Sequence, residues 1–85
     1  MNIQQMAAQA RDHWKQINPE IYRQMVEDKV LEKESEAAAK LTLAEMKTLM
    51  LGGATEQEAW QDSRKLFIFR TADELEKDYQ PEHRQ

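Results

Sequence analysis

The chain has no cysteine, which excludes disulfide staples, thiolate metal sites and thiol catalysis. Glycine and proline are scarce, two of each in 85 residues, so the punctuation that sheets and loop-rich folds need is mostly missing. No apolar stretch approaches the roughly 18 residues of a membrane span, in keeping with a mean hydropathy of -0.91. Cations are outnumbered, 12 Lys and Arg against 16 Asp and Glu, for a net charge of -4. A duplex-binding domain needs clustered cations that displace counterions from phosphates. The nearest cluster is Arg64, Lys65 and Arg70, which flanks the apolar run Leu66-Phe67-Ile68-Phe69 and keeps it soluble. Direct nucleic-acid binding and docking on an anionic membrane are both disfavoured. The start MNIQQMAAQARDHW shows no basic stretch followed by an apolar core, so no secretion signal is read and a cytoplasmic setting is expected.

What is present is helix-forming material. Apolar residues make up 40% of the chain and charged residues 33%, a balance suited to one small globular domain. Residues 1–80 are expected to form that domain, with 81–85, including His83, as a frayed tail. Ile3, Met6, Ala7, Ala10, Trp14 and Ile17 recur at steps of three and four, the signature of an amphipathic helix. Asn18-Pro19 ends it and starts the next, because the residue before proline avoids helical dihedrals while Asn caps and Pro fits the first turn.

From Pro19 to Leu51 there is neither Gly nor Pro, and a single long helix over about 19–51 is predicted. Its weak point is Glu32-Lys33-Glu34-Ser35-Glu36, which lacks a bulky apolar residue; a break near Ser35 is the alternative. Gly52-Gly53 closes this helix. Thr55-Glu56-Gln57-Glu58 and Thr71-Ala72-Asp73-Glu74 both have the capping-box form, threonine capping forward and glutamate reaching back. They open a helix running to about Phe69 and a short acidic one holding Leu75 and Tyr79 before Pro81. Leu66-Phe67-Ile68-Phe69 alone has strand character, and no second strand is available to pair with it. The fold class expected is all-α, four helices with one long central helix and a helical hairpin turning at Gly52-Gly53. Two short helices and a very short one cannot cover a long helix that is apolar on more than one side. Homodimerisation, or burial against a partner, is the expected remedy.

The residue types that carry chemistry are thin. Metal ligands reduce to His13, His83 and carboxylates, with no Glu-x-x-His pair of the kind that builds di-iron bundles. Ser35 and Ser63 are the only serines, and neither sits in a nucleophile elbow. The glycine pair follows a helix instead of a strand, so it cradles no phosphate. Residues 41–69 have helix-turn-helix form, yet Glu56, Glu58 and Asp62 would set acid where such helices approach phosphate. No catalytic, metal or cofactor residues are therefore assigned, and the chain is expected to be non-enzymatic.

Two surfaces remain as candidates for binding. Glu20, Glu27, Asp28, Glu32 and Glu36 form a carboxylate row on the long helix, a pattern by which small acidic inhibitors imitate duplex phosphates. Lys29 and Lys33 partly neutralise it through contacts one turn apart. The other surface is apolar: Trp14, Phe67 and Phe69, with Trp60 assigned to the core and Phe69 the most exposed anchor. Aromatic residues and Met are enriched where proteins meet.

The pattern Thr55-x-x-Glu58-Ala59-Trp60-x-x-x-Arg64-x-x-Phe67-Ile68-Phe69, with His13-Trp14 upstream, resembles short uncharacterised bacterial and phage-borne helical proteins. The resemblance spans about a third of the chain and implies an all-α fold with no activity attached. The leading expectation is a protein-interaction module, dimeric and binding another protein. An acidic inhibitor acting through the carboxylate row is the alternative.

Overall fold

The computed structural model describes residues 2–79 and contains five helices, with no strand among the described residues. They are α1 (Ile3–Ile17), α2 (Pro19–Glu27), α3 (Leu31–Leu51), α4 (Glu56–Phe67) and α5 (Ala72–Asp78). The expected tail 81–85 lies outside the described residues. The all-α class holds, whereas the count of four helices does not. The difference lies in the expected helix 19–51, which is two helices joined at Asp28-Lys29-Val30.

That break is a Schellman closure. The Val30 N–H reaches back to the Met25 carbonyl at 3.0 Å and the Lys29 N–H to the Val26 carbonyl at 3.0 Å. Lys29 takes the left-handed conformation this requires, with φ of 61°. An L-residue there costs about 1 to 2 kcal/mol, which is why glycine is the usual occupant. The apolar residues that accompany the motif are also in place, Met25 buried in the core and Val30 half-buried against it. The break therefore falls where the chain has a lysine, and not at Ser35.

Ser35 is instead interior. It is fully buried in α3 beside Ala38, Ala39 and Thr42, while α1 buries Ala7 and Ala10. α3 is the central element, with α1 and α4 both packed on it. Small side chains let α1 and α3 approach closely, so a stretch without bulky apolar residues still belongs to the core. The hydroxyls buried there are satisfied. Ser35 Oγ donates to the Glu32 carbonyl and accepts from Arg11 Nη1, both at 3.0 Å, and Thr42 Oγ1 donates to the Ala38 carbonyl at 2.8 Å. Met6, Trp14, Met25, Met46, Ile68 and Leu75 supply the bulk of the interior.

The α3–α4 turn follows the sequence closely. Gly53 has φ of 108°, and the Ala54 N–H closes on the Leu49 carbonyl at 3.1 Å, a second Schellman motif. Thr55 and Glu58 form the expected reciprocal cap at 3.1 and 2.9 Å. Thr71 and Glu74 repeat it at the same distances. Asn18 caps α2 by accepting from the Ile21 N–H at 3.3 Å.

Candidate functional site

The run Leu66-Phe67-Ile68-Phe69 ends α4 and then crosses the C-terminal half of α1. Three side chains of that region hold it. Trp14 Nε1 donates to the Ile68 carbonyl at 3.0 Å, His13 Nε2 to the Arg70 carbonyl at 3.0 Å, and Asn18 Nδ2 to the Ala72 carbonyl at 3.3 Å. Leu66 and Phe67 are helical, and the three bonds satisfy the Ile68, Arg70 and Ala72 carbonyls of the chain that follows, so the apolar run needs no sheet partner. Phe69 rests edge-on against His13 at 5.1 Å and Trp60 at 6.2 Å between ring centroids. Arg64 lies over Phe69 at 5.6 Å and Arg70 over Phe67 at 5.8 Å. Arg70 also pairs with Asp78 at 3.1 Å.

This arrangement places the three apolar residues expected at a partner surface. Trp14 is 1% exposed and its only polar atom is engaged, so it is a structural anchor and not a contact residue. Phe67 and Phe69 are half-buried with a guanidinium over each ring. Phe69 is thus less available than its place beside Arg70 suggests.

The carboxylate row is divided by the α2–α3 break. Glu20 and Glu27 are exposed on α2 and Asp28 caps its end. Asp28 accepts from Gln24 Nε2 at 3.0 Å and, through its other oxygen, from the Tyr79 hydroxyl. It therefore ties α2 to the end of α5. Glu32 and Glu36 continue on α3, where they line a polar hollow with Gln4, Ala7 and Arg11. The Arg11 guanidinium shares that hollow with the two carboxylates and reduces the net charge they present.

A concave apolar surface lies elsewhere, in the α3–α4 hairpin. Leu43, Met46 and Met50 of α3 face Trp60 of α4 across an open groove of about 400 Å³. Lys47 stands on the α3 side and Glu56 and Gln57 on the α4 side. Met50 is 42% exposed, and a second shallow hollow of Lys47, Met50 and Leu51 continues from the groove. The lining is apolar, with one cation and one carboxylate on opposite banks. It suits an apolar side chain. Trp60, expected in the core from sequence, is half-buried in the fold and shared between interior and groove.

The backbone N–H of Thr55, and then its side chain, hold the Glu58 carboxyl below the usual glutamate range. That is a helix-capping effect and not the signature of an acid–base site. No group of three or more acidic or histidine side chains able to hold a metal ion occurs among the described residues. Ser63 Oγ is the one buried side-chain polar atom without a hydrogen-bond partner among the described residues; Ser63 lies on the buried face of α4 with Ala59. No known protein family, curated protein or solved structure matches the chain. No helix among the described residues is long and apolar enough to cross a membrane.

Proposed function

We propose that this chain is a non-enzymatic protein-interaction module, self-associating, whose α3–α4 groove receives an amphipathic helix of another protein. The observation that carries the reading is the groove itself. Exposed Met50 and half-buried Leu43 and Trp60 open onto one trough whose floor is buried Met46. Helix-in-groove recognition uses apolar anchors spaced one turn apart, and a flexible Met-lined trough adapts to them. Lys47 on one bank and Glu56 on the other favour a helix carrying an acidic flank and a basic flank, and so fix its direction.

The test is a paired capture from nuclease-treated host lysate with the wild-type chain and with Met50→Glu, eluted in salt steps. Met50 is exposed enough for the substitution to leave the fold intact, which circular dichroism checks. The expected result is a protein retained at high salt by the wild type and lost from Met50→Glu, because apolar contacts survive screening. Retention of the same protein by both, with release at moderate salt, would overturn the groove. Glu32→Lys with Glu36→Lys would then be the deciding variant, since the acidic inhibitor reading requires those carboxylates.

A further inference from the structure

The face of α3 that points away from α1 and α4 carries a pattern the core does not use. Ser35, Ala38, Ala39, Thr42 and Met46 face inward. On the opposite side Ala37, Leu41, Ala44, Thr48 and Leu51 are all exposed, and they recur at alternating steps of four and three. That is a heptad seam. Its two large members are uncovered, Leu41 at 49% and Leu51 at 91% exposure. Thr48 brings no unpaired donor, because its hydroxyl is bonded to the Ala44 carbonyl at 3.2 Å and leaves the methyl free for contact.

The charges beside the seam decide what covers it. Lys33, Lys40 and Lys47 occupy one flank at seven-residue spacing. Glu45 lies on the other flank, and neither it nor Lys40 makes an ion pair among the described residues. An antiparallel helix pair brings like flanks together, so antiparallel registers of two α3 helices set the lysine flank against itself. A parallel in-register pair brings opposite flanks together, each position meeting the one five residues further along the other copy. Lys40 then faces Glu45 of the second copy, twice by symmetry. The positions opposite Lys33 and Lys47 are 38 and 52, a buried alanine and a glycine, so these two lysines meet no charge.

We infer that the chain forms a parallel two-fold dimer in which α3 packs on α3 of a second copy through Ala37, Leu41, Ala44, Thr48 and Leu51, with Lys40 paired to Glu45 across the interface. This rests on the interaction role proposed above and names the face and orientation of self-association. Leu43, Met46 and Met50 lie off the seam, so the dimer leaves the main groove of each copy open to a partner and covers only the Leu51 side of the adjoining hollow.

The absence of native cysteine makes the test direct. Ala37→Cys places one thiol at the seam, and Gln61→Cys, on the exposed face of α4, is the control. In the parallel dimer the two thiols introduced by Ala37→Cys face each other within disulfide reach. An antiparallel pair centred on Ala44 would hold them about 21 Å apart, from 14 residues at 1.5 Å each. In a glutathione redox buffer, Ala37→Cys is expected to yield at least about tenfold more covalent dimer than Gln61→Cys. Adding Lys40→Glu should weaken association by roughly tenfold at low salt, because two symmetry-related pairs become repulsive together, and adding Glu45→Lys as well should restore it. Equal cross-linking of Ala37→Cys and Gln61→Cys, or no rescue by the double charge exchange, overturns the inference. The groove is read by Met50→Glu on a different face, so failure of one test is not failure of the other.

Discussion

Replacing Lys29 by glycine has an effect on stability whose sign depends on the fold. In the structure Lys29 sits at the left-handed position of the closure that ends α2, with φ of 61°. Glycine adopts that conformation without steric cost, which removes about 1 to 2 kcal/mol of strain. Against this stands the greater backbone freedom of glycine in the unfolded chain, about 0.5 to 1 kcal/mol. The net expectation is a stabilisation of about 0.5 to 1 kcal/mol. For a domain of this size that raises Tm by roughly 2 to 8 °C. Thermal unfolding followed by circular dichroism measures it, and a urea titration with an unchanged slope shows that the unfolded state is comparable. Were residues 19–51 one helix, the same glycine would stand mid-helix and cost about 1 kcal/mol. A fall in Tm therefore refutes the break at Asp28-Lys29-Val30.

Three further perturbations probe the packing around the site. Ser63→Ala removes a buried hydroxyl without a partner and should stabilise the chain by about 1 kcal/mol, read as a higher urea midpoint; a loss would mean that the hydroxyl is satisfied. Trp14→Phe strips the donor from the Ile68 carbonyl and leaves a cavity, for an expected loss of about 2 to 4 kcal/mol. Trp60 then remains as the sole tryptophan to report the unfolding by fluorescence, and a loss within experimental error would show that Trp14 does not anchor the 66–72 segment. Glu58 has a folded pKa below its unfolded value. Its contribution is therefore present above the usual glutamate range and fades as pH falls through the folded value. Glu58→Gln should flatten the decline of Tm between about pH 5 and pH 3, and an unchanged decline would contradict the capping assignment.

The parts of the fold legible in sequence are those written by neighbouring residues. Asn18-Pro19, Gly52-Gly53, Thr55 with Glu58, and Thr71 with Glu74 each act over a few positions, and each is found where expected. Lys29 is illegible because nothing in its type announces a left-handed turn; tertiary packing of Met25 and Val30 imposes it on a residue that would equally continue a helix. Ser35 misleads for a related reason. A serine among glutamates looks solvated, yet small size is what lets α1 come close to α3. The segment 66–70 depends on donors more than 50 residues away, Trp14 and His13, and local pattern carries no trace of them.

The candidate site divides the same way. The apolar breadth of α3 from Leu41 to Leu51 is plain in sequence. Which members face inward, which line the groove and which form the outer seam is set only by where α1 and α4 pack. The carboxylate row looks continuous only while the helix does. Once the chain turns at Lys29, Glu20 and Glu27 belong to one helix, Glu32 and Glu36 to another, and Asp28 to the Tyr79 contact. Trp14 shows the converse. It has the residue type of an interface anchor, and its indole is instead held in the core by the Ile68 carbonyl.

The methionines supply the most direct measurement of the groove reading. Met50 lines the groove at 42% exposure and Met46 lies at its floor at 4%, while Met6 and Met25, buried at 0% and 2% and outside the groove lining, serve as internal controls. With methyl-labelled methionine, the chain is titrated with the high-salt fraction captured from host lysate and followed by NMR. The expected result is selective broadening or shifting of the Met50 and Met46 methyl signals while Met6 and Met25 hold their positions. Unmoved groove methyls, with changes instead at the backbone amides of Glu32 and Glu36, would contradict it.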